Sequence, residues 1–417
     1  MNALTIGMIG FGSIARTHCM AVAAIAADTG LPVRIGKIYR RNRSLAAPFF
    51  SLGYAQTLEE LISESDVVDI CSTNDVHFEQ AAQVIRAGKK LYLEKPVGVN
   101  MAQAEALARL AGDCPVRNQV ALMYRFMPGV IAIRDLVAAG EIGEVIEFQC
   151  RVQHSGYLNP SRKSNWKLKK AASGGGPLLD IGVHIMDLIR FSLGEVDAVA
   201  AEMKTVIRQR PDEKTGQPVN VDVEDCARVR MRLVNGREGI VEITRVASVL
   251  EQSSTFSVYG TAGSLHFTAA APGRLRAYRQ ADACETCGAA PLGSPFAQHV
   301  AGLYPRTSLG WMTDAHMASQ LHFYRSLLLE GEPVYRETPT IAEAALSQRV
   351  VESARPILSP QPHVESGRRQ VGTAGRACGR PDAREPAAWP VGASNFVTAA
   401  PCRERAPAAV PARDVGR

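Results

Sequence analysis

A glycine-rich turn close to the N-terminus constrains the fold of this chain more than any other feature. The sequence "LTIGMIGFGSIARTH" (4–18) holds Gly10, Gly12 and Ala15 in a G-x-G-x-x-A pattern between an apolar run and an Ala-rich segment. Glycines at these positions allow a tight turn and a close approach of the backbone to a pyrophosphate, which the N-terminus of the next helix stabilises. This strand–turn–helix setting predicts a dinucleotide site. The turn residues concerned are Gly10, Phe11, Gly12, Ser13 and Ile14.

The patterning of apolar residues predicts two kinds of sheet. Up to about residue 122, short apolar runs alternate with amphipathic helix patterns, which is typical of a parallel, doubly wound sheet. After Gly143, segments of alternating polar and apolar residues predict a large, mainly antiparallel open sheet, followed by two helices. We therefore expect an α/β protein, with a dinucleotide-binding Rossmann domain at 1–124 and a second α/β domain at 125–355.

The last 62 residues differ from the rest in composition. Residues 356–417 contain nine of the 24 prolines and nine arginines, without any hydrophobic period. A segment of this kind cannot bury enough apolar surface to form a core, so 356–417 is predicted to be a disordered tail. An alternative interpretation, a frame-shifted or read-through extension, stays open.

Charge, cysteine content and hydropathy exclude several classes of protein. The net charge is +6, but residues 1–355 hold 38 basic against 36 acidic residues and lack the basic cluster of a nucleic-acid binder. The scattered cysteines are typical of reduced thiols, and no signal peptide or membrane-spanning run is recognisable. Because Cys284 and Cys287 have no second pair nearby, we predict no metal site. A cytoplasmic protein with no nucleic-acid or membrane partner is expected.

The end of the second predicted strand bears on which dinucleotide is bound. Enzymes that use NAD usually carry Asp or Glu there, to accept hydrogen bonds from the ribose 2′-hydroxyl. This chain has Arg40 and Arg41 instead, which suit a 2′-phosphate. The sequence therefore favours NADP, with NAD as the alternative.

The stretch "SGGGPLLDIGVHIMD" (173–187) places polar residues in an apolar helix pattern. Asp180, His184 and Asp187 are spaced i, i+4 and i+7 and would share one stripe of a helix. An unpaired buried carboxylate is costly, so this stripe must face a partner. Histidine suits proton abstraction near neutral pH, and a carboxylate one turn away can orient its ring. Lys95 follows a buried parallel strand, where open sheets bind ligands, and could stabilise developing negative charge.

Taken together, these segments resemble the Gfo/Idh/MocA family of oxidoreductases. The resemblance covers about residues 4–355 and rests on "GFGSIARTH", "STNDVHFEQAAQVIRAGKKLYLEKPVGVN", "YRFMP", "GEIGEV" and "SGGGPLLDIGVHIMDL". The E-K-P motif followed by G-G-G and D-x-x-x-H is the specific part of the pattern. Thr73 departs from it, because the family often has proline at that position.

The resemblance implies roles for individual residues. Lys95 would be the catalytic lysine, with Asp180 and His184 as its partners and His184 as the proton acceptor. Asp187 is expected to have a structural role. The cofactor groove would be completed by Ser72, Thr73, Asn74, His77 and Glu94, while Arg125 and Trp166 would lie around the substrate pocket.

The expected activity is hydride transfer between NAD(P) and a secondary alcohol or ketone of a sugar, cyclitol or related polyol. The resemblance also implies a homodimer or homotetramer formed through the C-terminal sheet. Two alternatives remain: an NAD-dependent glycosidase with the same site, and a non-catalytic regulator that binds a dinucleotide or a sugar. Because the chain keeps both Lys95 and His184, the sequence argues against the regulator.

Overall fold

The computed structural model of the chain describes most of its first 356 residues. The described ranges are 3–40, 52–249, 252–305, 307–333 and 335–356. Arg41 and the part of the predicted tail that follows residue 356 lie outside the described residues, so the expectations about them stay predictions.

In the first third of the described chain, strands and helices alternate. They are β1 (Leu4–Ile9), α1 (Ser13–Thr29), β2 (Val33–Tyr39), β3 (Gly53–Tyr54), α2 (Leu58–Ser63), β4 (Val67–Ile70), α3 (Asn74–Arg86), β5 (Lys90–Leu93), α4 (Met101–Asp113) and β6 (Asn118–Val120). The strands form a parallel sheet in the order β3-β2-β1-β4-β5-β6. The predicted doubly wound sheet is therefore confirmed.

Local sequence signals explain where these helices begin and end. The side chains of Thr57 and Asn100 accept hydrogen bonds from backbone N–H groups in the first turns of α2 and α4. Helix α1 ends at Gly30, whose left-handed conformation lets its N–H donate to the carbonyl oxygen of Ala26. Strand β4 is buried at every residue, as expected for a strand with helices on both faces.

The described residues after 122 form further helices and a second sheet. They are a 3-10 turn (Met123–Phe126), α5 (Pro128–Ala138), β7 (Val145–Gln153), a 3-10 turn (Trp166–Leu168), α6 (Lys170–Ser173), α7 (Pro177–Asp180), α8 (Gly182–Leu193), β8 (Val196–Lys204), β9 (Gln209–Pro211), β10 (Pro218–Asn220), β11 (Cys226–Leu233), β12 (Glu238–Thr244), β13 (Ser253–Gly260), β14 (Gly263–Thr268), β15 (Arg274–Arg279), β16 (Cys284–Ala289), α9 (Pro295–Ala301), α10 (Trp311–Leu328), α11 (Ile341–Ser353) and β17 (Arg355–Pro356).

The second sheet is mixed but mainly antiparallel. Its order is β16-β15-β14-β13-β7-β12-β11-β8-β17. Among the described strand pairs of this sheet, only β7–β12 and β8–β17 are parallel. Buried and exposed residues alternate strictly along β11, so one face of the sheet packs on helices and the other is open. The predicted fold class is confirmed, while the domain boundary at 124/125 stays a prediction.

The last two helices return to the first sheet. Helix α10 packs on α1, and α11 packs on both α4 and α8. The backbone N–H of Val120, in β6, donates to the carbonyl oxygen of Pro339, which precedes α11. Helices α10 and α11 therefore connect the helices of the first sheet with α8, which belongs to the second part of residues 3–356. In the part of the chain that the structure describes, no helix combines the length and the apolarity needed to cross a membrane.

The sequence predicts one continuous helix through 177–187. This prediction is wrong in one respect, because the helix is interrupted at Ile181. Helix α7 ends at Asp180 and α8 begins at Gly182, with the His184 N–H bonded to the Ile181 carbonyl oxygen at 3.1 Å. Asp180 and His184 therefore belong to two different helices. The apolar period continues through the break, which is why the sequence pattern does not show it.

Arg125 and Asp187 form a buried ion pair that ties the 3-10 turn at 123–126 to α8. The Arg125 Nε and Nη2 atoms donate to the two carboxylate oxygens of Asp187 at 2.8 and 2.7 Å. The two side chains are 4% and 1% exposed, and Nη2 also reaches Glu343 on α11. This geometry gives Asp187 the structural role that the sequence predicted.

Replacing one partner of this pair should destabilise the protein strongly. We expect Asp187→Asn to lower the free energy of unfolding by about 3 kcal/mol, because the buried guanidinium loses the carboxylate that accepts from both Nε and Nη2 and keeps only the more exposed Glu343. The measurement is urea denaturation followed by circular dichroism. The matched control is Asp197→Asn, which breaks an exposed pair with Arg232 and should cost less than about 1 kcal/mol. Equal effects of the two substitutions would contradict the prediction.

Candidate active site

The carboxyl ends of β1, β2, β4 and β5 open onto a large cleft, at the edge where parallel sheets of this kind bind ligands. Its volume is about 1760 Å³, and the end of β7 and the helices α7 and α8 close its other side. The predicted site residues that line it are Gly10, Phe11, Gly12, Ser13, Ile14, Arg40, Ser72, Thr73, Asn74, His77, Glu94, Lys95, Trp166, Asp180 and His184. The structure thus brings together residues that are up to 174 positions apart.

The glycine turn leaves the N-terminus of α1 open to a ligand. Gly10 has a φ of +84°, and a side chain there would lie 2.7 Å from the carbonyl oxygen of Cys71, so only glycine fits. A Cβ added at Gly12 would meet no atom within 4 Å. The first turn of α1 carries no acidic residue. The turn therefore fits the pyrophosphate of a dinucleotide, which needs free backbone N–H groups and no competing negative charge.

Two side chains at the start of α3 contact backbone carbonyl oxygens of neighbouring loops. The Asn74 side chain donates to the carbonyl oxygen of Ser173 at 2.8 Å, and the His77 Nδ1 atom lies 2.7 Å from the carbonyl oxygen of Pro96. Burial lowers the pKa of His77. Thr73 has a φ of −80°, a value that proline would also adopt, so the departure from the family pattern leaves the backbone conformation unchanged.

Lys95 contacts Asp180 through two hydrogen bonds. The Lys95 Nζ atom donates to the backbone oxygen of Asp180 at 2.6 Å and to its Oδ1 atom at 2.9 Å. The lysine side chain is 14% exposed; Lys95 lies two residues after the end of β5, and its peptide bond to Pro96 is cis. An ammonium group has three donors, and the described residues accept from two, which leaves one for a ligand.

The Asp180 carboxylate also binds a second lysine. Its Oδ2 atom accepts from the Lys167 Nζ atom at 2.9 Å. Burial alone would raise the pKa of Asp180, but the ammonium groups of Lys95 and Lys167 hold it well below its usual range. Burial lowers the pKa of Lys167, and Asp180 outweighs this effect and raises it. Both groups are therefore charged near neutral pH.

The sequence reasoning missed Lys167. It lies in a segment with three other lysines, "RKSNWKLKK", and no periodicity singles it out. The nearby signal is Trp166, the predicted pocket residue, whose ring lies 5.5 Å from the Lys167 Nζ atom. His154 and Tyr157, just after β7, line the cleft as well and were missed because no motif surrounds them.

His184 is a buried neutral imidazole at the base of the cleft. Burial and the charge of Lys95 lower its pKa to about 3. Its Nδ1 atom is buried and has no hydrogen-bond partner among the described residues. Within those residues no hydrogen bond joins it to Asp180, so the expectation that Asp180 orients the ring is wrong. Asp180 instead binds the two lysines, because the break at Ile181 separates it from His184.

The triple-glycine loop determines where Asp180 lies. Gly174 has a φ of +82°, and a side chain there would lie 2.5 Å from the carbonyl oxygen of Val99, which follows the E-K-P motif. The Glu224 carboxylate accepts from the N–H groups of Gly176 and Leu178 at 3.0 and 2.9 Å, which caps α7. The close packing of Gly174 on Val99 and the Glu224 cap therefore both hold the N-terminal end of α7 against the Lys95 loop.

Arg125 is not part of the cleft, so its predicted place around the substrate pocket is not supported. Its side chain is 4% exposed, and its guanidinium group forms ion pairs with Asp187 and Glu343. Burial lowers the pKa of Arg125, but the two carboxylates outweigh burial and raise it above its usual value. Trp166, the other predicted pocket residue, does line the cleft.

Two family descriptions match this chain. Residues 4–122 match "Oxidoreductase family, NAD-binding Rossmann fold", and residues 130–266 match "GFO/IDH/MocA C-terminal domain". Together these matches cover more than half of the chain.

Among known proteins, the chain is similar to a levoglucosan dehydrogenase of Pseudarthrobacter phenanthrenivorans, with 29% identity over 85% of this chain and 97% of the relative. It is also similar to a 1,5-anhydro-D-fructose reductase of Ensifer adhaerens, with 32% identity over 62% of this chain and 74% of the relative. A solved structure of levoglucosan dehydrogenase in complex with NADH and levoglucosan superimposes with a TM-score of 0.75, at 27% identity, over 84% of this chain and 96% of that one.

The low pKa of His184 should make the stability of the protein depend on pH. An unfolded histidine has a pKa near 6.5. Between that value and about 3 the unfolded chain binds one proton more than the folded chain at this position, so the free energy of unfolding falls as pH decreases. We expect His184→Gln to reduce this slope by up to about 1.4 kcal/mol per pH unit between pH 6 and pH 5.

The measurement is urea denaturation at pH 7, 6 and 5 with wild-type and variant protein. His266→Gln is the control, because His266 is only half-buried on β14 and should change the slope less. An unchanged slope in His184→Gln would show that the imidazole is not held neutral.

Proposed function

This chain belongs to the Gfo/Idh/MocA family of oxidoreductases, and we propose that Lys95, Asp180 and His184 are its catalytic residues. The reaction is hydride transfer between a nicotinamide dinucleotide and a secondary alcohol or ketone of a sugar, cyclitol or related polyol. The observation that carries this proposal is the Lys95–Asp180 contact, which lies in the same cleft as the neutral His184 and the glycine turn. The proposed base His184, the proposed hydrogen-bond donor Lys95 and the glycine turn therefore line one cleft.

In alcohol oxidation, His184 accepts the hydroxyl proton. The imidazole is unprotonated at neutral pH, as a base must be, and we assign the proton to Nε2 because Nδ1 is buried without a partner among the described residues. The Lys95 ammonium group donates a hydrogen bond to the reacting oxygen as negative charge develops on it. Asp180 holds this ammonium group in place. A nicotinamide dinucleotide bound at the glycine turn would supply the hydride acceptor. In ketone reduction, Lys95 and His184 would act in reverse.

The dinucleotide site extends from the glycine turn to Arg40. NAD or NADP would place its pyrophosphate at the N-terminus of α1 and its nicotinamide near Ser72, Asn74 and Glu94. Arg40 follows β2 and lines the cleft, where its guanidinium group would suit the 2′-phosphate of NADP. We therefore propose that NADP is preferred over NAD.

We propose that the substrate is a cyclic polyol. Two similar proteins act, by their names, on levoglucosan and on 1,5-anhydro-D-fructose. In this chain, Trp166 and Tyr157 offer aromatic surface beside the charged groups of Lys95 and Asp180. This combination suits a sugar ring, which has apolar faces and hydroxyl groups at its edge.

Substituting the catalytic lysine should separate chemistry from cofactor binding. We expect Lys95→Met to lower kcat at least about 100-fold, because the developing alkoxide loses its hydrogen-bond donor. The dissociation constant of the dinucleotide should stay close to that of the wild type. Turnover of levoglucosan and related polyols is followed by absorbance of the reduced nicotinamide, and binding by its fluorescence.

Lys204→Met, at an exposed position on β8, is the matched control and should keep full turnover. Wild-type turnover in Lys95→Met would contradict the site assignment. Net accumulation of reduced nicotinamide during turnover would exclude the glycosidase alternative, and its absence with every polyol and both cofactors would contradict the proposed reaction.

The proposed cofactor preference has its own test. We expect Arg40→Gln to lower kcat/KM for NADP about 10- to 100-fold, which corresponds to the loss of one charge-assisted hydrogen bond. The value for NAD should change little, since its ribose carries no phosphate. Equal losses with NAD and NADP would contradict a role of Arg40 at the 2′-phosphate.

A further inference from the structure

A buried chain of charged side chains lies behind the cleft and joins three elements of the first sheet. His18, on α1, stands between Asp69, on β4, and Glu94, which follows β5. The His18 Nδ1 atom lies 2.9 Å from the Asp69 Oδ2 atom, and its Nε2 atom lies 3.2 Å from the Glu94 Oε1 atom. His18 and Asp69 are fully buried, and Glu94 is 5% exposed.

The neighbours of His18 favour its protonated form. Burial lowers the pKa of His18, but Asp69 and Cys71 outweigh burial and raise it well above 6.5. Burial raises the pKa of Glu94, but His18 outweighs it, so that the pKa of Glu94 is about 2. The imidazolium has a carboxylate at each nitrogen: Nδ1 is hydrogen-bonded to Asp69, whereas Nε2 and the Glu94 Oε1 atom form an ion pair at 3.2 Å without hydrogen-bond geometry.

Glu94 connects this series of buried side-chain contacts to the Lys95 loop. Its Oε2 atom accepts a hydrogen bond from the backbone N–H of Lys95 at 3.1 Å, while its Oε1 atom faces His18. On the other side, the Gln320 side chain of α10 donates to the Asp69 Oδ2 atom at 3.2 Å. The His316 ring of the same helix packs at 4.9 Å from the His18 ring. The chain of contacts thus runs from α10 through Asp69, His18 and Glu94 to Lys95.

The position of His18 links the two halves of the proposed reaction site. It lies on α1, whose N-terminus follows the glycine turn, and it contacts the residue that precedes Lys95. We propose that His18 is a positioning residue, which fixes Glu94 and through it the Lys95 peptide relative to the dinucleotide-binding helix. This inference rests on the catalytic role proposed for Lys95.

A displacement of Lys95 by about 1 Å would be enough to matter, since misplacement on this scale can cost about 100-fold in rate. His18 does not touch the proposed ligands, so its loss should impair the chemical step more than binding. The His18→Asn variant tests this directly, because asparagine can still donate to Asp69 but is too short to reach Glu94.

We expect folded His18→Asn to lose about 10- to 100-fold in kcat, with smaller changes in KM and in the dinucleotide dissociation constant. The primary deuterium isotope effect on kcat should increase, because hydride transfer becomes slower relative to product release. Glu94→Gln keeps an acceptor for the Lys95 N–H but removes the charge facing His18. Because the two residues act through one contact, the kcat losses of the double variant should not be additive.

The matched control is His322→Gln, which removes a buried histidine of α10 whose ring nitrogens contact His299 and Thr338 among the described residues. It should lower the melting temperature comparably without changing the isotope effect. If His18→Asn does not fold, Glu94→Gln is read together with the dinucleotide dissociation constant, because Glu94 also lines the proposed cofactor site: a loss of kcat at unchanged cofactor affinity supports the inference, and wild-type kcat overturns it.

The outcomes separate this inference from the proposed function. Wild-type kcat and isotope effect in the His18 or Glu94 variant, with Lys95→Met inactive, would overturn the inference and leave the function standing. Wild-type turnover in Lys95→Met would overturn both. A stoichiometric divalent metal in the purified protein that His18→Asn lacks would overturn the positioning role, because His18, Glu94 and His316 would then be ligands.

Discussion

The contact between the Lys95 ammonium group and Asp180 is the constraint to which the architecture of the site conforms. It joins the carboxyl end of a strand in the parallel sheet to the last residue of a four-residue helix on the other side of the cleft. A partly buried charge is costly without its partner, so both ends must be held in contact. The close packing of Gly174 on Val99, the Glu224 cap on α7 and the His77 contact to Pro96 all serve this placement.

The same lysine charge has opposite effects on its two neighbours. It keeps Asp180 ionised, with the help of Lys167, and it adds to burial in keeping His184 neutral. A charged carboxylate and an uncharged imidazole thus lie near one ammonium group, because Lys95 lowers the pKa of both. Asp180 balances the lysine charge, and the neutral His184 is the group to which we assign proton transfer in the proposed reaction.

Local patterns in the sequence predicted the sheets and most of the cleft, because strand periodicity, turn glycines and helix caps act between close neighbours in the chain. The glycine turn and the strand-end position of Lys95 are of this kind. The roles of Arg125 and Lys167 depend on partners 62 and 13 residues away, Asp187 and Asp180, which no local period reveals. The break at Ile181 was hidden for a related reason, since the apolar spacing continues across it while the hydrogen bonds do not. The contact of His18 with Glu94 is likewise visible only in three dimensions.

The return of α10 and α11 to the first sheet has a consequence for the order of events on the ribosome. A nascent chain of the first 124 residues has every strand of that sheet but lacks the helices that cover α1 and α4. It also lacks Gln320, which binds the buried Asp69 carboxylate, and Ser319, which binds the hydroxyl of Tyr92. The first 124 residues therefore keep an apolar surface uncovered until the end of α11, 229 residues further along the chain, has been synthesised.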